Sequence, residues 1–377
     1  MSDERKFATI QTITSIEPIE KYDRVELATV SGWSCIVKKG DFSVGDKCVY
    51  FEPDSLLYPH KIWDSFLEKR KYRIRTLKMC GTISQGLILP ISIIPILNPD
   101  MKYFKVDDFD LTAGLNVKHY ETEKEPVVIK KKRGKIMTFL MRNRMFRWVV
   151  LQLIGSKKKG NFPSHIMSKT DEKNIQSIPS IIRRNEGEFF YFSEKLEGQC
   201  SNYFLTQKKG LINKFLNKKD FYVSSHNVNL PHKMNNNWWN MAIEYDIEKK
   251  LYNYWKETGI HIGIQGEIIG PGIQGNIYKL DNLAFYVFNV KNLDTGGYLK
   301  LHEKNEFCLK LGLLLVPIFR VHILFDSDTT VKKLLDMSNG KSMINENTDR
   351  EGFVVRRMDN DKISFKVKSP KYLADNE

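Results

Sequence analysis

Phe189-Phe190-Tyr191-Phe192-Ser193-Glu194-Lys195-Leu196-Glu197-Gly198 reads as an apolar strand running into a tight turn that contains a glycine. Such a strand leaves one lysine, Lys195, at its end, partly desolvated and facing a cleft. Desolvation and nearby positive charge both disfavour an ammonium, so this amine is expected to lose its proton more easily than a surface lysine and to act as a nucleophile. A bare Lys-x-x-Gly also describes a solvated lysine at a strand end, so the rest of the chain has to decide.

The 377 residues suffice for two domains, each with its own core. A hydrophobic fraction of 41% with 12% aromatics excludes wholesale disorder, and no run of roughly eighteen apolar residues offers a membrane span. The opening Met1-Ser2-Asp3-Glu4-Arg5-Lys6 lacks the apolar core of a signal peptide. An intracellular protein, cytoplasmic or nuclear and not secreted, is the expectation. Cys35, Cys48, Cys80, Cys200 and Cys308 are scattered and form no Cys-x-x-Cys pair, which suggests neither a disulfide framework nor a zinc site. The formal charge of +14 favours a polyanionic partner without distinguishing RNA, DNA or an acidic membrane.

From Phe7 to about Tyr120 the chain reads as short strands separated by turn signals: Phe7 to Ile10, Val25 to Val30, Trp33 to Val37 and Cys48 to Phe51, with Ser31-Gly32 and the Gly40 to Gly45 segment as turns. This spacing suggests a small barrel, and the OB fold is the small barrel most used on oligonucleotides. A further strand, Tyr72 to Lys78, alternates basic and apolar residues and would place Arg73 and Arg75 on a surface suited to a nucleic-acid strand. Between Pro126 and Gly160 there are eleven Lys or Arg and no acidic residue, with Lys130, Lys131, Lys132 and Arg133 at one end. We expect a basic linker there, helical with an apolar side, whose charges either track phosphates or lie on a membrane surface; the cluster also has the composition of a localisation signal. The expected divisions are residues 1–121, 122–160 and 161–377.

After Gly160 apolar strand-like segments recur, among them Phe221 to Val223, Ile262 to Ile264, Phe285 to Val290, Phe353 to Val355 and Ile363 to Val367. Trp238 to Trp255 is the best helical stretch. An α+β domain built on antiparallel sheets is the expectation. Gly-x-x-x-x-Gly-Lys-Ser/Thr is absent, so a nucleotide is not held by a P-loop. Several segments carry polar groups that a plain core does not choose. Glu267 ends an apolar strand and is followed by glycines that let a backbone approach a ligand. Strand alternation puts Glu351 on the face of Phe353 and Val355, where a carboxylate needs a cation. Lys366 and Lys368 share one strand face and read either as a phosphate clamp or as part of an exposed edge strand.

In order, Lys195-Leu196-Glu197-Gly198, Phe221 to Asn227, the Glu267 segment, Phe285 to Phe288, Glu351 to Val355 and Lys366-Val367-Lys368 resemble the motif set of the covalent nucleotidyltransferases, the superfamily of ATP-dependent ligases and messenger-RNA capping enzymes. The closest likeness is to ATP-dependent RNA ligases with an N-terminal OB domain. Gly266-Glu267-Ile268-Ile269-Gly270-Pro271-Gly272-Ile273-Gln274-Gly275-Asn276 looks like theirs, as does Arg73-Ile74-Arg75-Thr76 leading to Ile83-Ser84-Gln85-Gly86-Leu87. The fold this implies is an OB-like β-barrel followed by a nucleotidyltransferase, or ligase adenylation, domain.

The resemblance implies that Lys195 attacks the α-phosphorus of ATP to form a lysyl-adenylate, that Phe288 stacks on adenine and that Glu267 accepts a hydrogen bond from the ribose. Glu194, Leu196, Gly198, His226 and Asn227 would complete the ATP site. Glu351 would place Mg2+ or Mn2+ through waters, and Lys366 and Lys368 would hold the α-phosphate. The implied partners are ATP and RNA with 3'-hydroxyl and 5'-phosphate ends, in a nicked duplex, with no membrane and no obligate protein partner. Relatives usually carry Arg where this chain has His226, and often where it has Asn174; Cys200 stands where a small hydroxyl or amide residue is common. A capping-type guanylyltransferase and an inactive RNA-binding module are the alternatives.

Overall fold

The computed structural model describes residues 5–120 and 160–376, apart from 171, 209–212, 214 and 231–234. The basic segment with Lys130, Lys131, Lys132 and Arg133, and the helix expected in it, lie outside the described residues. All five cysteines are free. Among the described residues no helix is long and apolar enough to cross a membrane.

The first half is organised by one long strand. The first part of β1 (Ala8–Ile19) pairs with β4 (Lys47–Phe51), Ala8 opposite Phe51, and its second part pairs with β2 (Tyr22–Val30), Ile13 opposite Val30. A register shift between Ile13 and Ser15 separates the two pairings, so the strand bends and the sheet curls. With β3 (Trp33–Lys38) and β8 (Leu87–Pro90) the order is β3-β2-β1-β4-β8, antiparallel throughout: a half-barrel of the OB type. β4 is buried on both faces, which explains its continuous apolar run. Cys48 and Tyr50 pack with Trp33 and Ile88, while Val49 and Phe51 pack with Trp63 and Ile94.

Two small pairs extend this unit. β5 (Ser55–Leu56) pairs with β9 (Lys118–His119), and Tyr120 N donates to Asp54 O at 2.8 Å, so His119 and Tyr120 stand beside Asp54. β6 (Thr76–Met79) pairs with β7 (Thr82–Gln85). The strand expected over Tyr72 to Lys78 is therefore only its second part. Lys71 and Tyr72 have φ of 53° and 61°, which turns the chain before Arg73. Arg73 consequently faces Asp54 at 2.7 Å rather than solvent, its guanidinium 4.3 Å from the Tyr120 ring centroid. Arg75 is half-buried.

The second half holds two sheets. The larger runs β13-β12-β11-β14-β15-β16, with β11 (Gln199–Gln207), β12 (Lys219–Ser224), β13 (Asn229–Leu230), β14 (Ile262–Ile269), β15 (Ala284–Asn292) and β16 (Leu314–Leu315). The smaller runs β17-β10-β18-β19, with β10 (Phe189–Glu194), β17 (Ile318–Leu324), β18 (Gly352–Arg357) and β19 (Ser364–Lys368). Neighbours are antiparallel except β15 and β16. Helices cover one face of each sheet. Trp238, Trp239 and Leu251 of helices Asn237–Glu244 and Ile247–Thr258 pack on Tyr203, Ile264 and Val287. Leu334 of helix Val331–Ser338 joins Phe190, Phe353 and Phe365. The stretch expected as one helix from Trp238 to Trp255 is broken at Asp246, whose φ is 50°.

One buried cation ties together the strands that bear the candidate site residues. Lys304, 1% exposed in helix Leu301–Leu311, is 2.7 Å from Asp361 in the β18–β19 hairpin. It also donates to Tyr191 Oη of β10 at 3.0 Å and to the carbonyl of Phe288 in β15 at 3.1 Å. Burial pushes its pKa down to about 8, with Asp361 opposing. The two halves of the chain meet at Gln176, whose amide donates to Gly32 O and to Gln85 Oε1 and whose carbonyl accepts from Ser31 Oγ.

Lys304→Met leaves the Asp361 carboxylate buried without its cation, and should cost about 3–5 kcal/mol. Paired with Asp361→Leu, the same change should recover part of that loss. Denaturant midpoints of the two variants test this; a double variant no more stable than Lys304→Met alone would contradict it.

Candidate active site

Lys195 leaves β10 where the uncovered faces of the two sheets meet. Its Nζ lies 2.6 Å from Glu351 Oε2, and Lys368 Nζ lies 3.7 Å from the other oxygen of that carboxylate. These groups line a cleft of about 450 Å³ with Leu196, Gly198, Cys200, His226, Asn227 and Glu267. Gly198 is required by packing: a side chain there would run into the Ile268 carbonyl and the Glu267 side chain. The first half of the chain closes the cleft, contributing Asp54, Arg73, His119 and Tyr120, and helix Pro370–Asn376 contributes Tyr372 and Asn376.

Glu351 reaches the cleft by a route that strand alternation does not give. Phe353 and Val355 belong to the apolar cluster on the helix-covered face, as do Phe365 and Val367 of β19. Glu351 lies with Lys368 on the opposite side, because Gly352 has φ +145°, a conformation that side chains rarely adopt. The expectation that Glu351 shares a face with Phe353 and Val355 is thus corrected.

The charges define the resting state of the amine. Burial acts to lower the Lys195 pKa, but the Glu351 carboxylate, seconded by Glu267 and Glu197, outweighs it, and the net shift is upward. The expectation of a readily deprotonated Lys195 is therefore corrected for the unliganded chain: it is an ammonium clamped by a carboxylate. Burial acts to raise the Glu351 pKa, and the ammonium groups of Lys195, Lys368 and Lys366 reverse the direction. Glu197 is pushed up by burial and by Glu351, while the Tyr372 hydroxyl donates to it.

Other candidate residues fall around this centre. Glu194 is buried behind Lys195, accepting from Met343 N at 2.8 Å, and burial raises its pKa. Phe288 is half-buried beside Leu196, Tyr286 and Val316, in an apolar patch adjoining the open cleft. Lys366 is 9% exposed on β19 and its field reaches Glu351. Arg73 lies in the cleft; Arg75 does not line it. Asn174 is buried, bridged to Lys366 at the edge of β19, and lines a smaller cavity between the two halves of the chain. Among the described residues no group of three or more His, Cys, Asp or Glu side chains is poised to hold a metal.

Sequence reasoning missed Asp54, His119, Tyr278 and Tyr372. Tyr278 accepts from the Glu197 backbone N–H at 2.7 Å and so braces the turn after Lys195. A helix starting directly after the Lys366–Lys368 strand was the one available signal for Tyr372. Nothing local marks the others, which arrive by the docking of the two halves.

The chain matches the family model of an OB-fold domain over residues 7–91 and that of RNA ligase over residues 188–368. No curated protein sequence matches it. Among solved structures it is similar to Naegleria gruberi RNA ligase. A glutamate-to-alanine mutant of that enzyme with ATP and Mn shares 30% identity at a TM-score of 0.77, covering 98% of this chain and 99% of that one. The form with PPi shares 29% identity at a TM-score of 0.76, covering 99% of each chain. Another mutant form, with AMP and Mn, shares 29% at 0.77, covering 98% of this chain and 99% of that one.

The shifts at the centre predict a pH dependence. Glu351 has its folded pKa below the ordinary 4.5, so its contribution to stability is present above pH 4.5 and lost as pH falls through the folded value. Lys195 has its folded pKa above 10.5, so its contribution is present below pH 10.5 and lost only as pH rises further. Glu351→Gln should therefore melt lower than the parent chain at pH 7, and the gap should narrow below pH 4.5. Melting curves that stay parallel down to pH 3 would contradict this.

Proposed function

The chain belongs to the RNA ligase family, and from that premise we propose that it seals RNA 3'-hydroxyl and 5'-phosphate ends at duplex nicks through an adenylate carried on Lys195. Its class is ATP-dependent RNA ligase, a phosphodiester-forming covalent nucleotidyltransferase. The observation that carries the finer reading is the convergence of Lys195, Glu351, Lys368 and Glu267 in one cleft.

In this reading Lys195 Nζ attacks the α-phosphorus of ATP. A P–N bond forms, the bond from that phosphorus to the oxygen bridging toward the β-phosphate breaks, and pyrophosphate leaves with the electron pair. Lys366 and Lys368 hold the α-phosphate and neutralise charge as it moves. Phe288 supports adenine, Glu267 accepts from the ribose, and Glu194, Leu196, Gly198, His226 and Asn227 shape the remainder of the nucleotide site. An oxygen of the RNA 5'-phosphate then attacks the adenylate, the P–N bond breaks and Lys195 leaves as an amine. Finally the 3'-hydroxyl attacks the activated 5'-phosphorus and AMP departs.

The donor chemistry fits a hard divalent cation. Glu197, Glu267 and Glu351 offer carboxylate oxygens in the cleft, while no ready cage exists among the described residues. That suits Mg2+ or Mn2+, which is commonly held by one or two carboxylates, waters and substrate phosphates. Glu351 would be its protein ligand, through waters, and the ion would supply positive charge at the α-phosphate. For Lys195 to attack, its proton must leave and its bond to Glu351 must open, a change that positive charge from Lys366 and Lys368 favours.

We assign residues 1–121 to the OB-type domain, 122–160 to a basic linker and 161–377 to the adenylation domain. Arg73, Arg75 and the cluster Lys130, Lys131, Lys132 and Arg133 would guide the RNA. Five free cysteines fit a reducing compartment, and action inside the cell, in cytoplasm or nucleus, is the reading they support.

Incubation with α-labelled ATP and Mn2+ should label the protein, with the label lost on removal of the metal and absent in Lys195→Ala. Persistent labelling of Lys195→Ala would sink the assignment of the nucleophile, and labelling by GTP instead of ATP would sink the ligase reading. On a nicked RNA duplex, Lys195→Ala should lose sealing by at least about 10³-fold, as expected for loss of a covalent nucleophile.

A further inference from the structure

A second opening stands at the far ends of strands that carry the candidate site. Glu194, Glu351 and Lys368 stand at one end of β10, β18 and β19; at the other end of β18, β19 and β15, Arg357, Ser364 and Lys291 border a groove of about 860 Å³. The strands β18 and β19 are six and five residues long, which separates their two ends by on the order of 17–20 Å at about 3.3 Å per residue.

Lys291 is the unusual group there. It is 9% exposed, and its ammonium has only the Ser168 hydroxyl at 3.4 Å and the Tyr298 ring at 5.7 Å; no carboxylate among the described residues pairs with it. Burial, and then the charge of Lys362, push its pKa down. The two acids that border the groove are already paired, Glu172 with Arg356 at 2.9 Å and Asp361 with Lys304 at 2.7 Å. Lys362 and Arg184, both exposed, add positive charge at the rim. Keeping a buried ammonium without a counter-ion is costly, and an anion seated in the groove removes that cost.

One hydrogen bond links the border of the groove to the border of the Lys195 cleft. Lys169, at its border, donates to Asn227 Oδ1 at 2.5 Å, and Asn227 lines the cleft. We infer that this groove binds the phosphodiester backbone of the RNA strand whose end lies at Lys195, a few nucleotides from the reacting phosphate, with Lys291 as the buried anchor and Lys362 and Arg184 at the rim. This rests on the ligase reading. Backbone rather than a free nucleotide is favoured because the cations stand on separate elements along an open groove, as in the charged tracks that follow a nucleic-acid backbone.

The test uses the full chain and compares Lys291→Met, which keeps the apolar stem, with the surface variants Lys362→Ala and Arg184→Ala. Lysyl-adenylate formation from labelled ATP, measured first, reports folding and the nucleotide half of the site. Affinity for a nicked RNA duplex is then measured against salt. Each variant should form the adenylate normally yet bind RNA several-fold more weakly at about 0.1 M salt, with the slope of log affinity on log salt reduced by roughly 0.9 per lost phosphate contact. Duplexes cut back to two nucleotides beside the nick should bind parent and variants alike. Unchanged affinity and slope in variants that form the adenylate would overturn the inference, and a loss equal on long and trimmed duplexes would do the same. Should Lys291→Met fail to fold, the two surface variants carry the test. Failure of the parent chain itself to form the adenylate would count against the ligase reading and not against the groove, whose RNA affinity is read separately.

Discussion

One carboxylate, Glu351, stands between Lys195 and Lys368, and the working parts of the molecule are arranged about that contact. Burial alone acts to raise the Glu351 pKa and to lower that of Lys195, and each group reverses the shift of the other. Together they are both charged, and Lys195 rests as an ammonium held by Glu351. In the proposed reaction the charges that would hold ATP phosphates are those that would free the amine, which would couple binding and activation through a single side chain.

The scaffold makes this contact possible by fixing strand ends. Lys195 ends β10, Glu351 precedes β18, Lys368 ends β19 and Glu267 is near the end of β14. A small slip of one strand would separate these groups. Lys304 opposes such a slip, since one buried ammonium is bonded to β10, to β15 and to the β18–β19 hairpin at once. The OB-type half adds a second constraint: docked through Gln176, it makes Arg73 and His119 part of the wall of the cleft.

The strands of the first half were legible because their apolar residues alternate or run continuously between turn residues, as in Cys48 to Phe51. The order of the later motifs pointed to the family to which the chain belongs. What escaped reading depends on backbone conformation or on distant partners. Tyr72 turns at φ 61° and sends Arg73 inward, although its sequence alternates like a strand. Gly352 places Glu351 on the cleft side, against the simple alternation. The protonation of Lys195 was misread because the local segment contains no hint that Glu351, 156 residues later, would lie 2.6 Å away. Asp54 and Tyr372 enter only through the packing of whole elements.

The claim that Glu351 governs the state of Lys195 is tested most directly by titrating the amine itself. Reaction of Lys195 with an amine-specific reagent, followed by peptide mapping across pH, gives its apparent pKa with and without Mn2+ and a non-hydrolysable ATP analogue lacking a reactive α-phosphate. The expected value lies above the ordinary 10.5 in the unliganded chain and falls clearly on adding metal and analogue together, with the fall already present in unliganded Glu351→Gln. An ordinary or low pKa in the unliganded chain, unmoved by Glu351→Gln, would contradict it.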